Sequence, residues 1–377
     1  MSGLHPGAGL RVGIIGGGFM ARTHAHAARV AGAEVVSLLS SSPESTARAA
    51  HHLGTAPARS LEELIDRADV VHVCTPNALH LPQSLAALDA GRHVVCEKPL
   101  ATSLSDADAL AARAGESRRV ATVPFVYRFH PMVREARARV RSGGIGRLFT
   151  LRGEYLQDWM LGAAERNWRV DAAVGGRSRA FADIGSHLVD LLEFVIGERI
   201  VRVAARTSTA HEERDGERVH TEDAAAVVVE TAGGVVGTVL VSQVAAGRKN
   251  ALSFEVSGAE GAVAFAQETP NELWWGRADG SVTIARDDAL LSPDAARLSV
   301  VPAGHPMGYL DAFSAFARDS YAAIRGEAPD GLPRFADGAR AAAVTEAVLA
   351  AARSDGWESV DSTPDSVLEG AMAGSTR

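Results

Sequence analysis

The chain has 377 residues, 46% of them hydrophobic, and a mean hydropathy close to zero. This length exceeds that of one typical domain, so two globular domains with sizeable cores are expected. The formal net charge is -8 and the sequence contains no basic cluster, which argues against a nucleic-acid partner.

The sequence also lacks the features of a membrane or exported protein. No apolar run approaches the roughly 18 residues that a membrane-spanning helix needs, so no membrane partner is expected. The first nine residues, MSGLHPGAG, lack a basic patch and an apolar segment, which predicts a short disordered lead and a cytoplasmic protein. Cys74 and Cys96 lie in apolar runs, and we expect buried thiols because two cysteines cannot form a disulfide framework.

A glycine-rich turn lies near the start of the chain. An apolar run at residues 12–15 leads into three glycines, and a helix-compatible segment begins near Phe19 and Met20. Gly16, Gly18 and Ala21 form a G-x-G-x-x-A pattern, in which the first glycine permits a tight turn and the second lets a pyrophosphate approach the backbone. An ordinary strand-to-helix turn gives the same pattern, so the dinucleotide site depends on other signals.

The second predicted strand, residues 34–39, ends at Ser40 and Ser41. In a dinucleotide-binding fold this end lies beside the adenosine ribose, where an acidic residue binds the 2′-hydroxyl of NAD. Ser40 occupies the place where aspartate is usual, and no adjacent Arg or Lys is present to bind the 2′-phosphate of NADP. The cofactor is therefore expected to be NAD, by a small margin, or NADP.

Two further apolar strands end in polar residues. Residues 70–74 lead into Thr75, Pro76, Asn77 and His80, and residues 93–96 lead into Glu97 and Lys98. Strands that alternate with helices predict a parallel sheet with ligands at the carboxyl ends of its strands. We therefore predict an α/β protein whose first domain, residues 1–126, is a Rossmann domain.

The second half of the sequence is rich in β-strands. Eight β-rich runs between residues 149 and 285 are separated by glycine-containing turns, which predicts a sheet of six or more mainly antiparallel strands. One helix is expected at residues 184–196, and two Ala-rich helices near 309–325 and 335–353 close the chain. Residues 127–377 are thus predicted to form an α+β domain whose final helices pack back on domain 1 and whose tail after Ser359 is loosely ordered.

Three polar residues are candidates for chemistry. Lys98 follows a buried strand and is either a solvated residue or a group held against a substrate oxygen. Asp183 is predicted to be the N-cap of the 184–196 helix, with His187 four residues on and on the same side. Histidine has the pKa best suited to accept a hydroxyl proton, but a capping Asp beside a satisfied histidine gives the same pattern.

Other catalytic classes find less support in the sequence. The thirteen histidines do not have the spacing of metal ligands and no cysteine cluster is present, so no metal is expected. A G-x-S-x-G motif is also absent, which argues against a common serine hydrolase.

Taken together, G-G-G-F-M-A at residues 16–21, C-T-P-N-A-L-H at 74–80, C-E-K-P at 96–99 and D-I-G-S-H at 183–187 resemble the Gfo/Idh/MocA family of NAD(P)-dependent oxidoreductases. The resemblance implies a Rossmann domain and a second domain whose open sheet forms a homodimer or homotetramer interface. It implies that Lys98 and His187 are catalytic, with Asp183 beside them. The implied cofactor-binding residues are Gly16, Gly18, Phe19, Met20, Ser40, Ser41, Thr75, Pro76, Asn77, His80, Glu97, Lys98 and Arg128.

The segments at residues 155–159, 167–169 and 175–180 resemble a branch of that family that includes levoglucosan and related sugar dehydrogenases. Aromatic rings interspersed with polar groups suit a sugar, although a Trp-containing strand and loop packed between domains gives the same composition. The candidate substrate-binding residues are Lys98, Tyr127, Gln157, Trp159, Trp168, Arg169, Asp183 and His187.

The expected reaction is the oxidation of a secondary alcohol of a sugar, anhydrosugar or polyol. His187 would remove the hydroxyl proton and Lys98 would stabilise the developing alkoxide, while hydride passes to the nicotinamide. Three alternatives stay open: an NADPH-dependent keto-sugar reductase, redox-assisted glycoside cleavage, and a nucleotide-binding regulator without catalysis.

Overall fold

The computed structural model describes residues 7–165 and 167–360, which divide into two compact units. The first comprises the described part of Met1–Val126 together with Ala312–Arg340, and the second comprises Tyr127–Asp311 and the described part of Ala341–Ser362. The predicted disordered lead lies mostly outside the described residues, and the predicted loose tail after Ser359 lies outside them from residue 361 onward.

The first unit contains the parallel sheet that the sequence predicted, and this sheet has six strands. Its strands run in the order β3-β2-β1-β4-β5-β6. They are β1 (Arg11–Ile15), β2 (Glu34–Leu39), β3 (Ala56–Pro57), β4 (Val70–Val73), β5 (His93–Cys96) and β6 (Ala121–Thr122). The helices between them are α1 (Phe19–Val30), α2 (Pro43–Leu53), α3 (Leu61–Arg67), α4 (His80–Asp89) and α5 (Leu104–Ser117).

The central strands are buried because helices cover both faces of a parallel sheet. All residues of β4 are buried, as are all but the first residues of β1 and β5. Ile15 at the end of β1 pairs with Leu39 of β2 and with Val73 of β4, and Val73 pairs with Cys96 of β5. The four strands therefore end level, and the residues that follow them lie along one edge of the sheet.

The second unit is built on a nine-stranded sheet in the order β16-β15-β14-β13-β7-β12-β11-β8-β17. Neighbouring strands are antiparallel except β7 and β12, which are parallel, so the predicted mainly antiparallel sheet is confirmed. Its strands are β7 (Leu148–Leu156), β8 (Ile200–Ser208), β11 (Ala224–Thr231), β12 (Val236–Ser242), β13 (Ala251–Gly258), β14 (Ala262–Ala266), β15 (Glu272–Arg277), β16 (Gly280–Ala285) and β17 (Trp357–Ser359), and β9 (Glu213–Arg214) pairs with β10 (Glu217–Arg218) as a separate hairpin.

The remaining helices are α6 (Pro131–Arg141), α7 (Ala172–Gly175), α8 (Ser186–Ile196), α9 (Pro293–Ala296), α10 (Tyr309–Ile324) and α11 (Phe335–Ser354). Helix α8 packs on the inner face of the nine-stranded sheet. A Cβ atom on Gly153 of β7 would lie 2.9 Å from Leu188 Cδ1, so the missing side chain is what lets α8 approach. Burial alternates along β12, as expected of strands with one covered face, and Val236 and Leu240 are exposed on the other.

The prediction that Asp183 is an N-cap is wrong. A π-helical turn, Phe181–Gly185, runs directly into α8, and the Asp183 backbone N–H donates to the carbonyl of Arg179. The Glu222 carboxylate accepts the backbone N–H groups of Arg179 (3.1 Å) and Phe181 (2.9 Å), so a side chain distant in sequence satisfies amides at the start of the segment. The Asp183 carboxylate therefore does not cap this helix, and it contacts Gln243 and Arg169 instead.

Among the helices of the described ranges, none is both long and apolar enough to cross a membrane.

Candidate active site

The glycine turn between β1 and α1 leaves open space in front of the helix. Gly16 has φ +123°, and a Cβ atom there would lie 2.5 Å from the carbonyl oxygen of Cys74, so packing requires glycine. Gly18 is different, because nothing lies within 4 Å of the position that its Cβ would take. Gly18 is exposed and no side chain caps the helix, while the Phe19 side chain is 61% exposed. The first amides of α1 therefore fit an anionic ligand such as a pyrophosphate.

The end of β2 presents hydroxyl groups. The Ser40 backbone N–H donates to Thr46 Oγ1 at 2.8 Å, and Ser41 is exposed. Ser42 caps α2 by accepting from the Ser45 backbone N–H, which fixes the turn that follows the strand. No carboxylate side chain occurs in this turn before Glu44, so its polar groups suit a ribose with or without a 2′-phosphate.

The end of β4 is braced by His80. Its ring is fully buried, and its nitrogens lie 2.9 Å from the carbonyl oxygen of Thr75 and 2.8 Å from that of Pro99. His80 therefore joins the turn that follows β4 to the turn that follows β5. Its hydrogen bonds hold the backbone of both turns in place. Asn77 is buried beside it, and Thr75 Oγ1 donates to Gln83 Oε1 at 2.7 Å.

Glu97 and Lys98 follow β5, and the peptide bond between Lys98 and Pro99 is cis. The Glu97 carboxylate is buried and uses both oxygens. Oε2 accepts the Lys98 backbone N–H at 3.1 Å, and Oε1 lies 2.9 Å from Nε2 of His24. The Lys98 side chain is half-buried. The residues predicted to line the cofactor, apart from Arg128, are thus gathered on the edge where the strands end.

A closed triangle of hydrogen bonds lies in the second unit. The Tyr155 hydroxyl donates to Asn250 Oδ1 (2.7 Å), and Asn250 Nδ2 donates to the Tyr127 hydroxyl (3.2 Å). The hydroxyl oxygens of Tyr127 and Tyr155 lie 2.6 Å apart, so the remaining proton, that of Tyr127, completes the triangle. Burial raises the pKa of both phenols, so both stay protonated and act as donors at neutral pH.

Gln157 and Trp159 extend this triangle. Gln157 Nε2 donates to Asn250 Oδ1 at 2.8 Å, and the indole Nε1 of Trp159 donates to Gln157 Oε1 at 2.8 Å. Three predicted substrate residues, Tyr127, Gln157 and Trp159, are therefore brought into one network. Asn250 lies at its centre.

Asp183 belongs to a second polar group. Its Oδ2 accepts from Gln243 Nε2 at 2.8 Å, and its Oδ1 lies 3.4 Å from Nε of Arg169. The Arg169 guanidinium lies over the Trp168 ring, 4.3 Å from its centroid. The loop that carries Trp168 is thereby tied to the segment that carries Asp183 and His187.

His187 is buried, with 8% of its surface exposed, and packs against Tyr127. Their rings are edge-on with centroids 5.1 Å apart, and His130 stacks on Tyr127 with centroids 5.9 Å apart. Burial lowers the pKa of His130 to about 4, so this ring is neutral at pH 7 and serves as packing. The site thus holds a histidine and aromatic rings next to several hydrogen-bonding groups.

Arg128, predicted to bind the cofactor, has strong contacts within the second unit. Its Nε donates to Asp190 Oδ2 at 2.8 Å, its Nη2 donates to Asp190 Oδ1, and its guanidinium lies over the Phe194 ring. Arg128 has 7% of its surface exposed. Its bidentate pair with Asp190 anchors the turn after Tyr127 to α8.

Asn250, Gln243 and Tyr155 are members of the site that the sequence did not single out as contacts. Asn250 and Gln243 lie near strand ends, in stretches that carry no motif, and Tyr155 was considered only as part of an aromatic segment. Alternation along β7 gives one signal, because Tyr155 is on the buried face with Leu151 and Gly153. Within the described ranges, no group of three or more His, Cys, Asp or Glu side chains is arranged to hold a metal ion.

The two halves of the chain match two parts of one known family. Residues 10–125 match the oxidoreductase family with an NAD-binding Rossmann fold, and residues 133–264 match the GFO/IDH/MocA C-terminal domain. Levoglucosan dehydrogenase of Pseudarthrobacter phenanthrenivorans is 33% identical over 93% of this chain and 98% of its own length. The chain belongs to the Gfo/Idh/MocA family.

Solved structures of relatives agree with this assignment. A levoglucosan dehydrogenase in complex with NADH and levoglucosan is 31% identical, covers 93% of this chain and 99% of its own, and has a TM-score of 0.87. An inositol dehydrogenase homologue of Azotobacter vinelandii, in complex with NADH and myo-inositol, is 27% identical over 93% and 98% of the two chains, with a TM-score of 0.85. The protein is a nicotinamide-dependent oxidoreductase that acts on alcohols of sugars or polyols.

Proposed function

We propose that the protein oxidises a secondary alcohol of a pyranose, an anhydrosugar or a cyclic polyol, with Lys98 and His187 as its catalytic residues. The observation that supports this most directly is the cluster around His187. Hydroxyl, amide and indole donors there are fixed by contacts with one another, and aromatic surface lies beside them. Such a combination recognises a ligand that has both C–H faces and several hydroxyls.

The nucleotide would be held along the edge where β1, β2, β4 and β5 end. The amides of Gly18, Phe19 and Met20 take the pyrophosphate, and Ser40 and Ser41 take the adenosine ribose. The turn at Thr75, Pro76 and Asn77, together with Glu97 and Lys98, takes the nicotinamide half. A nicotinamide held by these residues would supply the acceptor for the hydride of the alcohol carbon.

The chain's own residues handle the proton and the charge on oxygen. His187 accepts the hydroxyl proton, and its buried position against Tyr127 restricts the directions from which a hydroxyl can approach. Lys98 donates to the same oxygen and stabilises the negative charge that develops there. Asp183, held by Gln243 and Arg169, accepts a hydrogen bond from a second hydroxyl of the substrate.

Three finer points belong to the same proposal. NAD is favoured slightly over NADP, because Ser40 neither repels a 2′-phosphate nor provides a positive charge to bind it. The exposed face of the nine-stranded sheet carries Val228, Val236, Leu240 and Trp274, and a second copy of the chain covers it in a homodimer or homotetramer. The protein works in the cytoplasm.

A spectrophotometric screen tests the proposal. The purified protein is offered levoglucosan, other anhydrosugars, pyranoses and inositols with NAD and NADP in parallel, and formation of the reduced nucleotide is followed at 340 nm. At least one of these alcohols should be oxidised, faster with NAD. Tight nucleotide binding without turnover of any of them would contradict the proposal and favour a regulator.

The remaining alternatives have their own outcomes in the same screen. Oxidation of NADPH in the presence of a keto-sugar, without the reverse reaction, would identify a reductase. Release of an aglycone from a glycoside without net formation of NADH would identify redox-assisted cleavage.

A further inference from the structure

Four buried side chains of the first unit form a continuous chain of hydrogen bonds. The Tyr321 hydroxyl lies 3.1 Å from Nε2 of His72, Nδ1 of His72 lies 2.9 Å from Nδ1 of His24, and Nε2 of His24 lies 2.9 Å from Glu97 Oε1. The residues come from α10, β4, α1 and the end of β5. Tyr321 and His24 have no exposed surface, and His72 and Glu97 are 1% and 6% exposed.

This hydrogen-bond chain is unusual because its polar side chains lie at positions where apolar side chains would normally pack. His72 is the one polar residue in the strand Val70–Val73, and His24 lies on the buried face of α1 against Phe313. Buried polar groups cost free energy unless they are paired, and here every ring nitrogen has a partner. Such networks specify one arrangement of the groups that they join.

The proton positions are assigned by starting from Glu97, at one end of the hydrogen-bond chain. Both Glu97 oxygens accept hydrogen bonds when the group is a carboxylate, so His24 donates through Nε2 and the Lys98 backbone donates to Oε2. Burial lowers the pKa of His72 well below its ordinary value, so this ring is neutral. We assign the remaining protons in one direction, so that His24 accepts at Nδ1 from His72 Nδ1–H and His72 accepts at Nε2 from the Tyr321 hydroxyl.

We propose that Tyr321, His72 and His24 are positioning residues for Lys98, and that they act through Glu97. With the protons assigned in this way, every donor of the hydrogen-bond chain points toward the Glu97 carboxylate. The other carboxylate oxygen accepts the Lys98 backbone N–H. These hydrogen bonds thus fix the backbone from which the Lys98 side chain extends. This inference rests on the proposed catalytic role of Lys98.

The same series of hydrogen bonds connects Lys98 to the nucleotide-binding turn. His24 is in the second turn of α1, the helix whose first amides face the open space at Gly18. Displacements of about 1 Å at a reacting group can reduce a rate about a hundredfold. Fixing α1, β4 and the end of β5 to one another therefore sets Lys98 relative to the helix start that takes the pyrophosphate.

Magnetic resonance tests the arrangement without any substrate. The sequence contains only two lysines, Lys98 and Lys249, so protein labelled with ¹⁵N-lysine gives two backbone amide signals, which a Lys249→Arg variant assigns. We expect His24→Leu to move the Lys98 amide proton upfield, because its acceptor is no longer held. The Lys249 signal should stay in place. His24→Gln, whose amide can donate to Glu97 and accept from His72, should restore the Lys98 signal.

Kinetics of the complete enzyme provide the second readout. His24→Leu should lower kcat on the order of a hundredfold, and His24→Gln should stay within about tenfold of the wild type. The affinity for the nucleotide should change less than threefold, since the pyrophosphate site is unaltered. His26 lies on the same helix but is exposed, and His26→Leu is the matched control that should leave kcat and the lysine signals unchanged.

The proton positions can be checked in the unaltered protein if His24→Leu does not fold. In ¹⁵N-histidine spectra, His24 should carry its proton on Nε2 and His72 on Nδ1. A His72 ring protonated on Nε2, or a folded His24→Leu variant with an unmoved Lys98 amide, would overturn the inference. These measurements need no turnover, so they stay decisive even if the proposed dehydrogenase activity were absent.

Discussion

The ring of Tyr127 stands edge-on to the ring of His187, with the centroids 5.1 Å apart and the planes at 84°. The same tyrosine uses its hydroxyl in the triangle with Tyr155 and Asn250, so one side chain both packs the histidine and orders the polar groups next to it. Tyr127→Phe separates these two roles, because the ring stays and the hydroxyl is lost.

For Tyr127→Phe we expect kcat/KM to fall about tenfold, equivalent to about 1.4 kcal/mol, since Asn250 and Tyr155 each lose a partner. Tyr127→Leu, which also removes the ring from His187, should lose more, mainly in kcat. Initial rates with a substrate found in the screen measure both effects. Equal activity of the wild type and the phenylalanine variant would show that the triangle does not order the site.

Lys98→Ala should lower kcat by a factor of about 10² to 10⁴ while the nucleotide still binds. The reason is that the developing alkoxide loses its positively charged donor. Lys249→Ala is the matched control, because Lys249 is the only other lysine and is an exposed partner of Asp158. Rates of NADH formation decide the matter, and a Lys98→Ala enzyme as fast as the control would exclude the assigned role.

His187→Ala should lower kcat by a similar factor, about 10² to 10⁴, because no other group is assigned to take the hydroxyl proton. His220→Ala, an exposed histidine of the same unit, should leave kcat unchanged. The two variants are compared by steady-state kinetics after their folding has been checked by circular dichroism. The base must be sought elsewhere if the His187 variant retains wild-type turnover.

Ser40→Asp should weaken NADP binding at least about tenfold and leave NAD binding intact, because a carboxylate at this place repels a 2′-phosphate and accepts from a 2′-hydroxyl. The backbone N–H of residue 40 would still donate to Thr46 Oγ1, so the turn is expected to keep its form. Fluorescence titrations with both reduced nucleotides give the affinities. Ser105→Asp, exposed on α5, controls for the added charge.

Leu240→Arg places a charge on the exposed face of the nine-stranded sheet and should dissociate the proposed oligomer. Leu290→Arg is the control, because Leu290 is even more exposed but lies outside the strands of that sheet. Size-exclusion chromatography with light scattering reports the mass of each species. An unchanged mass for Leu240→Arg would place the subunit contact on another surface.

His130 predicts a dependence of stability on pH. Its pKa is about 4 in the folded protein and near 6.5 when the chain is unfolded, so the unfolded state binds the proton first as the pH falls. This residue should therefore lower the free energy of unfolding by about 3 kcal/mol between pH 6.5 and 4. The stability that it contributes is present above pH 6.5.

Urea unfolding at several pH values measures this effect. His130→Phe keeps an aromatic ring against Tyr127 and removes the titrating group, so its stability should fall less steeply over that range. His51→Phe, at an exposed position of α2, should behave like the wild type. Parallel curves for the wild type and His130→Phe would contradict the assignment.

The sequence predicted most of the first unit because its signals are local. Alternation of apolar strands with helices, the glycine turn at Gly16 and the serine after residue 39 are each read within a few residues, and the strand ends then follow from the geometry of a parallel sheet. The error at Asp183 has the opposite origin. The helical segment already begins before Asp183, and the amides of Arg179 and Phe181 at that start are satisfied by Glu222, which lies 43 and 41 residues further along the chain and which no local pattern connects to them.

By itself, the sequence determined the family and the parallel and mainly antiparallel sheets, because motifs and hydrophobic periods are short-range features. It also predicted roles for Lys98, Asp183 and His187. Only the tertiary structure revealed the triangle around Asn250, the partners of Asp183 and the hydrogen-bond chain from Tyr321 to Glu97. Tyr321 is 249 residues from His72, and His24 is 73 residues from Glu97. Contacts of this kind are decided when strands and helices pack and buried polar groups must find partners, which a linear pattern does not encode.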